Sequence, residues 1–405
     1  MSVLSGKKIV LGISAGIAAY KTASLVRLFI KAGAHVQVIM TPSSKDFVTP
    51  LTLSTLSKNP VHSTFYNEED ENALWNNHVE LGLWGDLMII APATADTLSK
   101  MANGTCDNLL IATYLSAKCP VYFAPAMDLD MYKHPSTISS FNLLKQFGNT
   151  IIPAEKGELA SGLSGEGRMA EPENIIIFLE KDLESKLPLQ GKKILITAGP
   201  THEAIDPVRF IGNHSSGQMG FDIASSAANL GASVTLISGP THLSVSDANI
   251  NLIRVISAQE MYVACHEYFN SSDVVICAAA VADYTPKLVA TQKIKKRDAT
   301  LSIELEKTQD ILASMGEIKQ NQFLIGFALE TENEIENAKL KIHKKNLDLI
   351  VLNSLQDEGA GFGKSTNKII FIDKDFNVEP MTLKSKLLVA NDIMNKVISH
   401  YEKNS

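Results

Sequence analysis

The chain begins the same kind of unit twice. Residues 7–21 read KKIVLGISAGIAAYK, and residues 192–220 read KKILITAGPTHEAIDPVRFIGNHSSGQMG. Each run has two lysines, a β-branched and leucine-rich segment short enough to be a buried parallel strand, and a glycine-containing turn leading towards a helix. Such a sequence is expected to fold as two α/β domains with mainly parallel sheets. At 405 residues it also exceeds the size at which a single core stops growing, which favours two domains of roughly 200 residues. Between the two starts, Pro188 and Gly191 interrupt helical periodicity within residues 184–191, giving expected domains of 1–187 and 188–405.

Composition excludes several classes. With 45% hydrophobic and 20% charged residues the chain reads as a soluble globular protein, and its net charge of −7 gives no reason for general nucleic-acid binding. Any polyanion site must be a local pocket. No apolar run is long enough to span a bilayer, and MSVLSGKK leads into a strand without the apolar region of a signal peptide, so a cytoplasmic protein is expected. The four cysteines, Cys106, Cys119, Cys265 and Cys277, form no CxxC pair and read as reduced thiols, not as a zinc site or a disulfide framework.

In the first half, residues 8–13 predict a buried strand and Ile17 to Ala32 a helix with one apolar face. The turn between them, Gly12-Ile-Ser14-Ala-Gly16, lets backbone N–H groups approach an anion, and Ser14 adds a hydroxyl. It also fits the G-x-S-x-G nucleophile elbow, but that elbow follows a central strand with several strands already laid down. His35 to Met40 predicts a second strand, and Thr41 to Phe47 the start of a helix with hydroxyl caps. The segment 67–72 reads as solvated acidic loop, and Trp75 to Trp84 as a helix containing His78. A strand then ends in APATADT (91–97), Ala102 to Asn108 interrupts the following helix, and PAMDLDMY (125–132) follows another strand. Two methionines and an acid just past a strand end suit the edge of a flat aromatic ligand.

The order GISAGIAAYK, His78, APATADT, PAMDLDMY and the flap ASGLSGEGRM resembles the flavin-dependent cysteine decarboxylases, specifically the phosphopantothenoylcysteine decarboxylase half of bifunctional coenzyme A biosynthesis enzymes. The resemblance implies a flavodoxin-like domain binding FMN through Gly12, Ser14, Gly16, Thr41, Thr94, Ala126 and Met127, with His78 as active-site base or positioning group. The flavin would serve as electron sink, taking hydride from the thiol-bearing carbon so that decarboxylation becomes easy, and returning it afterwards. Two departures stand out. Asp128 occupies the place where asparagine commonly holds the substrate carboxylate, so it must be protonated, reoriented or paired with a cation such as Arg168. Ser161 occupies the place of the flap cysteine and is a poorer proton donor.

In the second half, residues 193–198 predict a strand, residues 206–213 a long loop, and Ser215-Ser216-Gly217 a helix start suited to an anion. A dinucleotide site is weakened by the missing G-x-G-x-x-G after the first strand. The α/β alternation continues to a helix at 385–401, with a loop at 359–363. The basic run Lys293 to Arg297 is either a solvated loop or a triphosphate neutraliser, and Lys341 and Lys345 share one helix face. The runs AGPTHEAIDPVRFIGNHSSGQMG, AAAVADY, KIKK, GFALET and KKNLDLIVLN resemble phosphopantothenate–cysteine ligase. That resemblance implies a second Rossmann-like domain using CTP. Ala279, Asp283, Lys293, Asp310, Ile311, Leu312, Phe327, Lys341 and Lys345 would bind the nucleotide, and Asn213, Arg209 and Lys293 would serve the acyl-transfer chemistry. Mg2+ would be held mainly by the phosphates. The resemblance further implies self-association as trimers of the flavin domain and dimers of the ligase domain, together a dodecamer. A different class of reading is an active ligase whose flavin-binding half is a non-catalytic scaffold.

Overall fold

The computed structural model describes residues 2–66, 75–159, 161–295, 301–330, 332–354 and 364–403. The chain divides into two compact units, Met1–Glu184 and Ser185–Ser405.

In the first unit, β1 (Lys8–Ile13), β2 (His35–Met40), β3 (Val61–His62), β4 (Leu87–Ala93), β5 (Val121–Pro125) and β6 (Thr150–Ile151) form one sheet in the order β3-β2-β1-β4-β5-β6. Every pairing is parallel. Setting aside the two-residue edge strand β3, this is the flavodoxin-like order, and the chain reverses direction across the sheet between β1 and β4. Helices cover both faces. Ile9, Leu11 and Ile13 enter the layer that holds Phe29 and Leu179, while Val10 enters the opposite layer with Leu110 and Phe123. Burial on both faces is why β1 reads as an unbroken apolar run and not as an alternation.

Three helix starts differ from expectation. The helix expected from Ile17 opens as a 3-10 turn, Ile17–Lys21, before the α-helix Thr22–Lys31. The Thr22 hydroxyl donates to Ala19 O at 2.7 Å and stabilises that tighter turn. After β2, Pro42–Asp46 is likewise 3-10, and the α-helix Pro50–Ser57 is capped by Thr49, not Thr41. The helix expected from Trp75 begins only at His78, because the Asn77 side chain accepts from the Val79 and Glu80 N–H groups and fixes the start there. The flap is an antiparallel hairpin of β7 (Glu155–Glu158) and β8 (Ser164–Arg168). The acidic segment 67–72 falls outside the described residues, as do Ala160 and the loop 359–363.

In the second unit the strands are β9 (Lys193–Ala198), β10 (His202–Ala204), β11 (Phe210–Gly212), β12 (Ser233–Ser238), β13 (Ile250–Arg254), β14 (Val274–Cys277), β15 (Tyr284–Pro286), β16 (Leu305–Lys307), β17 (Phe323–Glu330), β18 (Leu349–Ser354), β19 (Thr366–Asn367), β20 (Ile369–Asp373), β21 (Val378–Pro380) and β22 (Lys384–Ser385). The main sheet runs β13-β12-β9-β14-β17-β18-β20-β21. It is parallel from β13 to β18 and antiparallel at β20 and β21. Residues 206–213, expected as loop, contribute to the hairpin β10–β11. The buried Asp206 carboxylate pins its turn, accepting from the Val208 and Arg209 N–H groups at 2.9 Å each. Arg209 Nε donates to the same carboxylate at 2.9 Å, and its guanidinium holds the Asp206 carboxyl well below the ordinary range.

Candidate active sites

The first unit carries a cavity of about 970 Å³ at the carboxyl ends of β1, β2, β4 and β5, the crevice where open α/β sheets bind ligands. Gly16, Thr41, Thr94, Ala126, Met127 and Asp128 line it, so the turns after four strands bring most of the expected flavin residues together. Thr41 Oγ1 is buried and has no hydrogen-bond partner. A buried hydroxyl is normally paired, and an orphan facing a cavity this size fits a polar ligand atom. The residues present therefore fit a flavin nucleotide.

Gly12 and Ser14 are not among the lining residues. A Cβ at Gly12 would strike Leu110 Cδ1 at 2.5 Å, so this glycine serves helix-on-sheet packing. The Ser14 hydroxyl donates to Pro92 O at 2.7 Å and accepts from the Thr94 N–H at 3.1 Å. It ties the β1 turn to the β4 turn and is spent there, which also removes it as a nucleophile. His78 does not line the cavity either. Its ring stands edge-on to Phe65 at 6.0 Å, and its buried Nδ1 has no partner. Ser161 is exposed in the loop that joins the two strands of the hairpin and is not a lining residue. Asp128 is neither paired with Arg168 nor adrift: its Oδ1 accepts from the Leu129 N–H at 2.6 Å, capping the short helix Leu129–Lys133. Arg168 instead meets Glu171 at 2.5 Å.

Beyond Asp128 and Arg168, sequence reasoning missed the ionic groups of this cavity. Lys100 sits between Asp107 at 2.8 Å and Asp96 at 3.0 Å, and the hydrogen bond to Asp107, reinforced by Asp96, raises its pKa. The i,i+4 spacing of Asp96 and Lys100 was a readable signal. Lys21, almost fully buried, donates to Met169 O and Glu171, both at 2.9 Å. No sequence pattern announces that contact, since the partners lie 148 and 150 residues away.

The second unit has its own cavity, of about 540 Å³, lined by Thr197 at the end of β9, Cys277 and Ala279 at the end of β14, and Phe327 on β17. This is again the switch point of the sheet. Asp283, Asp310, Ile311, Leu312 and Lys345 join them as expected, and Thr308 and Lys307 were not foreseen. Asp310 caps the helix Ile311–Ile318 through the Ala313 N–H at 2.9 Å and pairs with Lys345 at 2.7 Å. Burial pushes the Asp310 carboxyl up, but Lys345 and the Ala313 N–H outweigh it and hold it below the ordinary value. Burial pushes the Cys277 thiol up to about 12. Asn213 donates to Ala280 O at 3.1 Å and Val281 O at 3.0 Å, which fixes it against the segment between Ala279 and Asp283.

Lys345 lines the cavity from the C-cap of Glu334–Lys344, whereas Lys341, one turn earlier, is not a lining residue. Lys293 is exposed and lies outside the lining set. Arg209 is engaged by Asp206 and by Ile294 O at 3.0 Å, and the Ile294 N–H donates to Asp206 at 3.1 Å. The guanidinium thus anchors the backbone beside Lys293. Lys296 and Arg297 lie outside the described residues. Among the described residues no cluster of His, Cys, Asp and Glu could hold a metal ion, no helix is long and apolar enough to cross a membrane, and the four cysteines are free.

A flavodoxin-like unit with a ligand-sized crevice, followed by a Rossmann-like unit with its own, defines a two-site flavoprotein. Residues 2–184 match the flavoprotein family, and residues 189–401 match the family described as DNA/pantothenate metabolism flavoprotein C-terminal domain. The chain is 44% identical over 397 residues to the coenzyme A biosynthesis bifunctional protein CoaBC of Bacillus subtilis (strain 168), covering 98% of this chain and 97% of that one. Identity to the protein of the same name from Haemophilus influenzae is also 44%, over 401 residues and 99% of each chain. A cysteine/cysteine sulfinic acid decarboxylase from an unknown prokaryotic organism is 54% identical over 357 residues, 87% of this chain and 99% of that one. The chain belongs to the family of bifunctional coenzyme A biosynthesis enzymes, with a flavoprotein decarboxylase unit and a ligase unit.

Proposed function

We propose that residues 188–405 join cysteine to 4′-phosphopantothenate at the expense of CTP, and that residues 1–187 decarboxylate the product to 4′-phosphopantetheine. The observation that carries this reading is the presence of two separate switch-point cavities in one chain that aligns end to end with bifunctional relatives. FMN is the flavin, and when bound it supplies a reversible two-electron sink next to the carbon that loses carbon dioxide. Gly16, Thr41, Thr94, Ala126 and Met127 hold it, with the orphan Thr41 hydroxyl as a donor to one of its polar atoms. His78 and Ser161 serve from outside the cavity wall, His78 as a base or positioning group and Ser161 as a flap donor. Their inclusion requires a site completed by a second subunit, in keeping with the proposed trimers of the flavin unit, dimers of the ligase unit and a dodecamer overall.

In the ligase unit, Asp283, Asp310 and Phe327 position the nucleotide, while Lys345, Lys341 and Lys293 neutralise its phosphates, with Mg2+ bridging phosphate oxygens. The substrate carboxylate attacks the α-phosphorus, pyrophosphate leaves, and the cysteine amine displaces CMP from the acyl-cytidylate. Asn213, anchored to Ala280 and Val281, faces the acyl group, and Arg209 orders the Lys293 segment. A mass spectrum of products from the protein with FMN, Mg2+, cysteine, 4′-phosphopantothenate and either CTP or ATP tests this. Phosphopantetheine with CTP is expected; phosphopantothenoylcysteine alone would make the first unit a scaffold. A second reading, that the flavoprotein unit also takes free cysteine, is favoured by the relative of 54% identity, whose name states that substrate.

A further inference from the structure

Two ionic groups face the larger cavity from adjoining backbone segments without pairing with each other. The Met127 N–H donates to Gly167 O at 3.0 Å. One residue beyond each partner stand Asp128 and Arg168, and both line the cavity. The approach requires glycine: Gly167 has φ +134, and a Cβ there would meet Met127 O at 2.3 Å. Each group is held by its own neighbours. Asp128 is fixed by the Leu129 N–H. Arg168 Nη2 donates to Glu171, and the guanidinium lies over Gly157, where a Cβ would come within 3.1 Å of Nη1.

The charge count is uneven. Glu171 Oε1 serves both Arg168 and Lys21, so at that end of the cavity one carboxylate is shared by two cations. Lys100 is already met by Asp96 and Asp107, and Glu158 is exposed on the hairpin. Asp128 has no cation within ion-pair distance among the described residues, and Arg168, which lines the same cavity, has donors to spare.

An N-acylated cysteine offers one charge at its reacting end, the carboxylate, because its nitrogen is a neutral amide. A free α-amino acid offers an ammonium and a carboxylate on one carbon. For the first, a lone cation suffices and a neighbouring aspartate is a penalty; for the second, an anion beside a cation is the complement. We propose that Asp128 and Arg168 form a receptor for the α-ammonium and α-carboxylate of free cysteine. This rests on the second reading above and names the residues that make it work. In the net reaction the Cα–carboxylate bond breaks, carbon dioxide leaves, and a proton takes the electron pair on that carbon, giving cysteamine. No external oxidant or reductant is needed, because the net reaction is redox-neutral.

The test uses the flavin-loaded full chain without CTP, given L-cysteine or phosphopantothenoylcysteine, with products read by mass spectrometry. Cysteamine is expected from cysteine. Asp128→Asn should lower the ratio of kcat/KM for cysteine over the acylated substrate at least about tenfold, the effect of losing one charge-assisted contact. Arg168→Gln should raise KM for both substrates at unchanged flavin absorbance per protein, with partial recovery in Arg168→Lys. Cysteamine formation with an unchanged ratio in Asp128→Asn overturns the receptor and leaves the second reading standing. Absence of cysteamine while the acylated substrate is consumed overturns that reading itself. Flavin loss in Arg168→Gln would assign the guanidinium to the cofactor phosphate and overturn its place in the receptor.

Discussion

The Thr41 hydroxyl is buried without a partner, and leaving such a group unsatisfied costs about 1–3 kcal/mol. Thr41→Val keeps the shape and removes the cost. The flavin-free variant should therefore melt about 2–4 °C higher than its parent while binding FMN about tenfold more weakly, one lost hydrogen bond. Calorimetry and flavin titration check both signs; a variant that is less stable and binds equally well would show that the hydroxyl faces no ligand. The thiols give a second residue-scale prediction. Cys106 is exposed, whereas burial raises the pKa of Cys265 and Cys277, and only the thiolate reacts. At neutral pH a thiol reagent should label Cys106 and leave those two until the chain unfolds. The sequence named Thr41, Met127 and Asp128 because they follow strand ends. It was silent on Lys21 and Glu171, whose meeting depends on a fold bringing together residues far apart in the chain.

At the scale of elements, the parallel strands and their helices were legible because burial on both faces leaves unbroken apolar runs such as residues 193–198. The short hairpins were not: β10, β11, β15 and β16 are three residues each and carry no apolar period. Side-chain pinning makes them instead, and Asp206 is the example. Its carboxyl is held below the ordinary value of about 3.9, so its contribution is fully present above that value and is lost as pH falls through the depressed folded value. Asp206→Asn should lower the melting temperature at pH 6 and flatten the fall of stability below pH 4, as followed by circular dichroism; a variant with an unaltered acid limb would remove Asp206 as the pin. The flap offers a parallel case. Gly167→Ala puts a Cβ against Met127 O, so the hairpin must lift from the Met127–Asp128 segment, and decarboxylation should fall at least about tenfold while ligation persists.

The two units have separate cores, one around Ile9, Phe29 and Leu179 and the other around Ile196, Phe371 and Ile393. Each core is large enough to fold as a domain. Their repeated opening was the most legible property of the whole molecule, while the geometry that excludes Gly12, Ser14, His78 and Lys341 from the cavity walls could not be read from residue order. The central claim is that two reactions are carried by two independent sites. The direct measurement is product analysis of two variants, Lys345→Ala and Gly167→Ala, each given the full substrate mixture and, separately, ready-made phosphopantothenoylcysteine. Lys345→Ala should make no ligated product yet decarboxylate the supplied intermediate, and Gly167→Ala should accumulate phosphopantothenoylcysteine. Loss of both reactions from either folded variant would contradict the account.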